Sequence, residues 1–228
     1  VGYDGGPFFS SDGSRIVYRA GYPRTSEEEA DYTRLLSQSL VRPSRMEIWV
    51  MNADGSDPSR FTDTLTYRIN WSPDGSKIAY HNGGGTPGGQ LWMMNADGTN
   101  QERVDPFTNP STSGDSVQDA PLGWSPGGTK IAFQSYGDQD KVSIITLADS
   151  SVAKVSGVCP TCQDHAGFSS WSPDGSKILI ICSSQEGRSR ICVMDLDGSN
   201  TTMIPTPNLP EAALRNYGPH IAWASWSN

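Results

Sequence analysis

No stretch of this chain approaches the roughly 20 consecutive apolar residues that a membrane-spanning helix requires. Positive charge is also scarce. Seventeen Lys and Arg stand against 25 Asp and Glu, a net charge of −8, whereas nucleic-acid binders need a basic face. The chain contains only three histidines and no Gly-X-Ser-X-Gly elbow, so the nucleophile of an α/β-hydrolase is missing from these 228 residues. Residue 1 is Val1, with neither an initiator methionine nor a signal-peptide pattern after it. A mature or excised product is expected.

What the chain does have is repetition. Phe9 to Tyr18 (FSSDGSRIVY), Trp71 to Tyr80 (WSPDGSKIAY), Trp124 to Phe133 (WSPGGTKIAF) and Trp171 to Ile180 (WSPDGSKILI) are near copies, and Trp226-Ser227-Asn228 begins a fifth. Their serines fall at 10, 72, 125, 172 and 227, giving periods of 62, 53, 47 and 55 residues. Periods near fifty mark repeat folds whose units bury their faces by stacking on neighbours. A second signature follows each of the first four: IWVMNADGSD from Ile48, LWMMNADGTN from Leu91, SIITLADSS from Ser143 and ICVMDLDGSN from Ile191.

Both signatures read as hairpins. Proline presets φ in Ser-Pro-Asp-Gly, glycine takes the left-handed position, and Lys-Ile-Ala-Tyr then alternates like a half-buried strand. Two hairpins per repeat give four antiparallel strands, one propeller blade. The expected fold is all-β: a β-propeller of four complete four-stranded blades, with one short helix inserted in blade 1. A surplus first strand of a fifth blade is expected at 217–228. The whole chain, 1–228, reads as a single domain with blades at 2–62, 63–104, 105–156 and 157–206, and it could be part of a longer propeller.

The WSPDGSKIAY and IWVMNADGS pairs resemble the WD-like repeats of TolB-type β-propellers. The opening GYDGGPFFSSDGSRIVYR and the stretch from Glu27 to Asp54 resemble a secreted bacterial subgroup of TolB-like proteins. That resemblance implies a periplasmic or extracellular address and a binding module, a peptidase accessory domain or a protein of another role. Fold alone does not choose among these. On such a scaffold four cysteines imply two disulfides in an oxidising compartment. Cys182 and Cys192 flank a loop expected to turn near Gly187, which would set them about opposite each other. Cys159 and Cys162 form a CPTC loop just before. Buried thiols, or a zinc site using Cys159, Cys162 and His165, remain open alternatives.

Strand order decides which end is available for binding. The SPDG and NADG turns crowd one face, and the irregular segments share the other: 21–45, 81–90, 105–122, 157–167 and 205–219. The first of these should hold a helix capped by Ser26 and Glu29, carrying a Leu35, Leu36, Leu40 and Val41 stripe and ending at Arg42-Pro43. Tyr22, Tyr32 and Arg34 are its candidate contacts, with His81, His165 and His220 on or near the same face. The repeated aspartates at 12, 74 and 174, and at 54, 97 and 197, occupy turn positions rather than catalytic ones. Asn200 heads a sequon just past a turn, a glycosylation candidate, whereas Asn70 is too close to Trp71.

No catalytic residue, cofactor or metal site is expected, so the function expected is a non-catalytic binding propeller engaging a protein or glycan. Two alternatives stand beside it. One is a structural subunit of an extracellular assembly, self-associating through the C-terminal strand. The other is the accessory propeller of a hydrolase whose catalytic domain lies outside this chain.

Overall fold

A computed structural model of the chain describes residues 3–40, 46–83, 90–106, 116–117, 122–136, 141–155, 162–184 and 189–204. The first sheet comprises β1 (Tyr3–Phe9), β2 (Arg15–Gly21), β3 (Glu47–Asn52) and β4 (Ser59–Arg60), with α1 (Ser26–Ser37) between β2 and β3. The second comprises β5 (Thr66–Trp71), β6 (Lys77–Asn82), β7 (Gln90–Asn95) and β8 (Glu102–Arg103). The third has β9 (Ser116–Val117), β10 (Gly123–Trp124), β11 (Lys130–Tyr136), β12 (Lys141–Thr146) and β13 (Ser151–Lys154). Its first strand comes in two pieces, since β9 and β10 both pair with β11. The fourth comprises β14 (Cys162–Trp171), β15 (Lys177–Ser184), β16 (Ser189–Asp195) and β17 (Thr202–Ile204). Every sheet is antiparallel with its strands in chain order, as two successive hairpins per repeat demand. Two compact units hold two sheets each, Val1–Arg103 and Val104–Asn228.

Side-chain chemistry explains why the first hairpin of each repeat is so uniform. The Ser72 amide donates to Lys77 O at 2.9 Å, and the Gly75 amide to Ser72 O at 2.9 Å. The Ser72 hydroxyl donates to Asp74 Oδ1 at 2.6 Å, and the Ser76 amide donates to the same oxygen at 3.0 Å. These donors, the Ser72 hydroxyl foremost, hold the Asp74 carboxyl down at about 2. Gly75 has φ of 70°, and a Cβ there would come within 2.8 Å of Ser11 Oγ. Glycine is thus required twice over. Asp12 and Asp174 are held the same way.

The third repeat carries Gly127 where the others carry aspartate. A Cβ at Gly127 meets nothing within 4 Å. Replacing it, Gly127→Asp, is expected to stabilise the chain by about 0.5–1 kcal/mol, through lower unfolded-state entropy. A higher urea midpoint at unchanged m value is the readout. A lower midpoint would show that this turn is built differently.

Each unit buries its core between two sheets. In the first, Val17, Ile48 and Val50 pack with Ile69, Trp71, Ile78, Tyr80 and Met94. In the second, Ala132, Val142 and Ile144 pack with Trp171, Ile178, Ile180, Cys192 and Met194. The motif aromatics occupy one register position: Phe9↔Ile16, Trp71↔Ile78, Trp124↔Ile131 and Trp171↔Ile178. The Trp71 indole N–H donates to Phe8 O at 3.2 Å, and the Trp171 indole to Gly123 O at 2.9 Å. Arg15 adds a cation–π contact, its guanidinium carbon lying 5.1 Å from the Trp71 ring centroid.

Three local expectations need correction. The helix is capped by Thr25, whose hydroxyl accepts from the Glu28 amide, so the capping box lies one residue earlier than Ser26 and Glu29 suggest. It also stops at Ser37, well before Arg42-Pro43. There Ser39 takes a φ of 57° and the Leu40 amide bonds back to Leu35 O at 2.9 Å, a Schellman-type stop that outcompetes the leucine stripe. Finally, β6 runs on through His81 and Asn82, and β14 begins at Cys162. These residues were expected in loops but belong to the ladders, because backbone pairing extends beyond the alternating pattern. The expected strand at 217–228 lies outside the described residues.

Candidate functional site

In each sheet the SPDG-type and NADG-type turns occupy one end, and the remaining connections the other. Glu47 opens β3 at this second end of the first sheet, opposite Ala20. Its side chain is only 3% exposed, and a carboxylate so buried needs compensation. Arg24 supplies it in direct contact, and Arg60 lies 3.6 Å away. Because Arg24 sits just before α1, this pair ties the helix to the sheet. The Arg24 amide also donates to Glu28 Oε2 at 2.8 Å. Beside the pair, the Tyr22 ring meets Trp49 edge-on, with centroids 5.0 Å apart at 86°. The Trp49 indole N–H is buried and has no acceptor.

The helix held this way is barely packed. None of its residues is buried; Leu36 is 50% exposed, and Leu40, just past its end, is 53% exposed. Tyr32 is half-buried. Arg34 is exposed and bonds Asp31 at 2.6 Å. The three helix-side candidates, Tyr22, Tyr32 and Arg34, thus lie on or beside one projecting element. Sequence reasoning missed Glu47, Arg24 and Trp49. The acid inside the strand MEIWVMN was the one available signal, and nothing local marks Arg24 as its partner.

Breaking the tie should be measurable. Arg24→Met leaves Glu47 with Arg60 alone and is expected to cost about 1–2 kcal/mol, reduced from the fully buried case because the guanidinium is partly solvated. In a double-mutant cycle Glu47→Leu should recover most of that loss. Additive losses would show that the pair carries no coupling.

Of the histidine candidates, His81 alone has a described side chain. His81 is 1% exposed inside β6, between Tyr67 and Leu91 of the flanking strands. It therefore cannot contact a partner at the loop end. Neither ring nitrogen has a hydrogen-bond partner. Burial first, then the nearby positive charge of Arg68, pushes its pKa down to about 3. Arg68 itself occupies the left-handed region, φ 43°, in a bulge where the first sheet uses Gly6. The side chain of His165 and the whole of His220 lie outside the described residues.

Cys192 is fully buried and disulfide-bonded. The ladder sets Cys192 opposite Ile180, and Cys182 opposite Arg190. The two cysteines are therefore diagonal neighbours on one sheet face rather than directly opposite, because the hairpin register is centred one residue earlier than Gly187. The side chains of Cys182 and Cys162, and all of Cys159, lie outside the described residues. Asn200 has φ of 51°, and its amide nitrogen donates to Asp195 Oδ2 at 2.6 Å. Among the described residues no three His, Cys, Asp or Glu side chains come together to hold a metal ion. Nor is any described helix long and apolar enough to cross a membrane.

No protein-family model matches the chain, and neither does any curated protein. Solved structures do. TolB from Acinetobacter baumannii superposes with a TM-score of 0.63 at 15% identity, covering 91% of this chain and 45% of that one. The chain has the fold of a TolB-like β-propeller. An oligogalacturonate lyase from Vibrio parahaemolyticus matches this chain with a TM-score of 0.59 at 17% identity, covering 92% of it and 55% of the lyase. A puromycin-hydrolyzing peptidase from Mycobacterium tuberculosis matches with 0.61 at 10% identity, covering 88% and 28%. The chain thus spans about half, or less, of these proteins, and the likeness speaks to fold.

Proposed function

We propose that this chain is a non-catalytic recognition propeller, working in the periplasm or outside the cell, that engages a protein partner through the loop end of its first sheet. The observation that carries this reading is α1. An element with no buried residue, with Leu36 half-exposed on it and Leu40 half-exposed just past its end, is nonetheless fastened to a rigid sheet by an ion pair to the buried Glu47. Apolar side chains displayed on a fixed support favour a protein over a glycan. The helix's first turn carries Glu27, Glu28 and Glu29, so a partner with an apolar patch rimmed by basic residues fits best. A disulfide at Cys192 supports the oxidising address.

Affinity cross-linking against secreted or periplasmic extract, with Leu36→Glu/Leu40→Glu as the comparison, tests the reading. Loss of one specific partner, at unchanged circular dichroism and melting, is the expected result. A partner retained by the double variant would move the site elsewhere. The match to the much longer puromycin-hydrolyzing peptidase favours a second reading, an accessory propeller of a hydrolase. A Gly-X-Ser-X-Gly domain in the parent gene would decide for it.

A further inference from the structure

The first and second sheets open their third strands alike. Glu47-Ile48-Trp49 starts β3, and Gln90-Leu91-Trp92 starts β7. The ladders match as well: Trp49 lies between Tyr18 and Arg60, and Trp92 between Tyr80 and Arg103. Residues two apart on a strand share a face, and glutamate and glutamine reach equally far. One hydrogen bond separates the two sites. In the second sheet the Trp92 indole N–H donates to Gln90 Oε1 at 3.0 Å. In the first, the Trp49 indole N–H is buried with no acceptor. The Glu47 carboxylate is held instead by Arg24, with Arg60 3.6 Å from the same oxygen.

We propose that Glu47 is a two-position switch that fastens and releases α1. In the described state its carboxylate holds Arg24 and ties the helix to the sheet. In the second state it accepts from Trp49 Nε1, as Gln90 does from Trp92, and keeps Arg60 as its counter-charge. Arg24 is then free, and the 22–37 segment swings off the sheet as a strap.

Three observations support the exchange. The first concerns charge. Arg60 belongs to β4 and stays with the sheet, so Glu47 is not left buried without a cation, the outcome that makes breaking a buried pair so costly. Arg24, which leaves, is already 37% exposed. The second concerns packing. No residue of α1 is buried, so its release uncovers little apolar surface. The third concerns the indole. A buried N–H without an acceptor is a cost of the closed state alone, and the bond gained on opening offsets part of the ion pair lost. The same ring carries the strap's aromatic contact, the Tyr22 edge at 5.0 Å, so the opening of the strap and the new bond meet at one side chain. The consequence for recognition rests on the reading of α1 as the element that meets the partner. A partner that needs Leu36 on a fixed support binds the closed state, and so draws Glu47 toward Arg24.

Glu47→Gln tests the switch, because it removes the charge that holds Arg24 and keeps an acceptor of the same length. In 15N-indole spectra the Trp49 N–H, assigned by its loss in Trp49→Phe, should move downfield and exchange with solvent more slowly than in the parent. Amides of α1 should exchange about tenfold faster, with those of β2 and β3 unchanged. Arg24→Gln, which leaves the carboxylate in place, should produce the same two changes. A tie that is structural only would loosen α1 in both variants and leave the Trp49 proton unmoved, and that result would overturn the proposal. Unchanged exchange in α1 would overturn it as well. Neither readout involves a partner, so failure here leaves the recognition reading standing, whereas a partner retained by Leu36→Glu/Leu40→Glu speaks against that reading alone.

Discussion

Acidifying the chain from about pH 8 to about pH 5 is expected to cost about 2 kcal/mol of stability through His81 alone. The sign follows from which state takes the proton. In the unfolded chain the imidazole titrates at its ordinary 6.5, whereas in the folded chain burial holds it down at about 3. Above pH 6.5 neither state is protonated and stability is flat. Between 6.5 and about 3 the unfolded chain alone binds the proton, so stability falls by about 1.4 kcal/mol per pH unit. The turn aspartates act in a separate window. Asp12, Asp74 and Asp174 are held near 2, so their contribution is lost only as pH falls below the ordinary carboxylate range. His81→Leu should therefore abolish the slope between about pH 6.5 and 5 while leaving stability at pH 8 unchanged or higher by about 1 kcal/mol, since two unpaired nitrogens leave the core. Urea unfolding at several pH values is the measurement. An unchanged slope in the variant would show that His81 is not held neutral.

The other large effect is expected at Trp171, 8% exposed between the sheets of the second unit. Trp171→Ala should destabilise that unit by about 3–5 kcal/mol, the range for removing a buried aromatic. Trp171→Phe keeps most of the apolar contact but strips the donor from Gly123 O, and should cost about 1–2 kcal/mol. Phe9→Ala, at the same register position but 63% exposed, should fall within about 0.5 kcal/mol of the parent. Urea midpoints followed by circular dichroism would rank the three. If Phe9→Ala costs as much as Trp171→Ala, Phe9 is covered rather than exposed in solution.

The turns were the most legible part of the chain, because their chemistry is local. Ser-Pro-Asp-Gly contains its own acceptor, its own donors and its own left-handed residue, so Ser72, Asp74 and Gly75 needed no distant partner to be read correctly. The four sheets followed from counting those turns, and the helix from its acidic first turn, although its cap and its stop were each misplaced. Thr25 and Ser26 are both competent caps, and which one wins depends on where Arg24 is anchored. That anchor is Glu47, 23 residues away, and no local pattern announces it.

The candidate site was legible only in outline for the same reason. Order along the chain showed which strand ends carry irregular connections, and so put Tyr22, Tyr32 and Arg34 together. It could not separate an exposed histidine from a buried one, because His81 alternates as well with an outward as with an inward register. Repeat number, turn chemistry and strand order were thus determined by the sequence itself, through contacts spanning a few residues. The burial of His81, the Arg24–Glu47 tie and the indole-to-carbonyl latches were decided only by tertiary structure, since each depends on which face of one strand or sheet meets another.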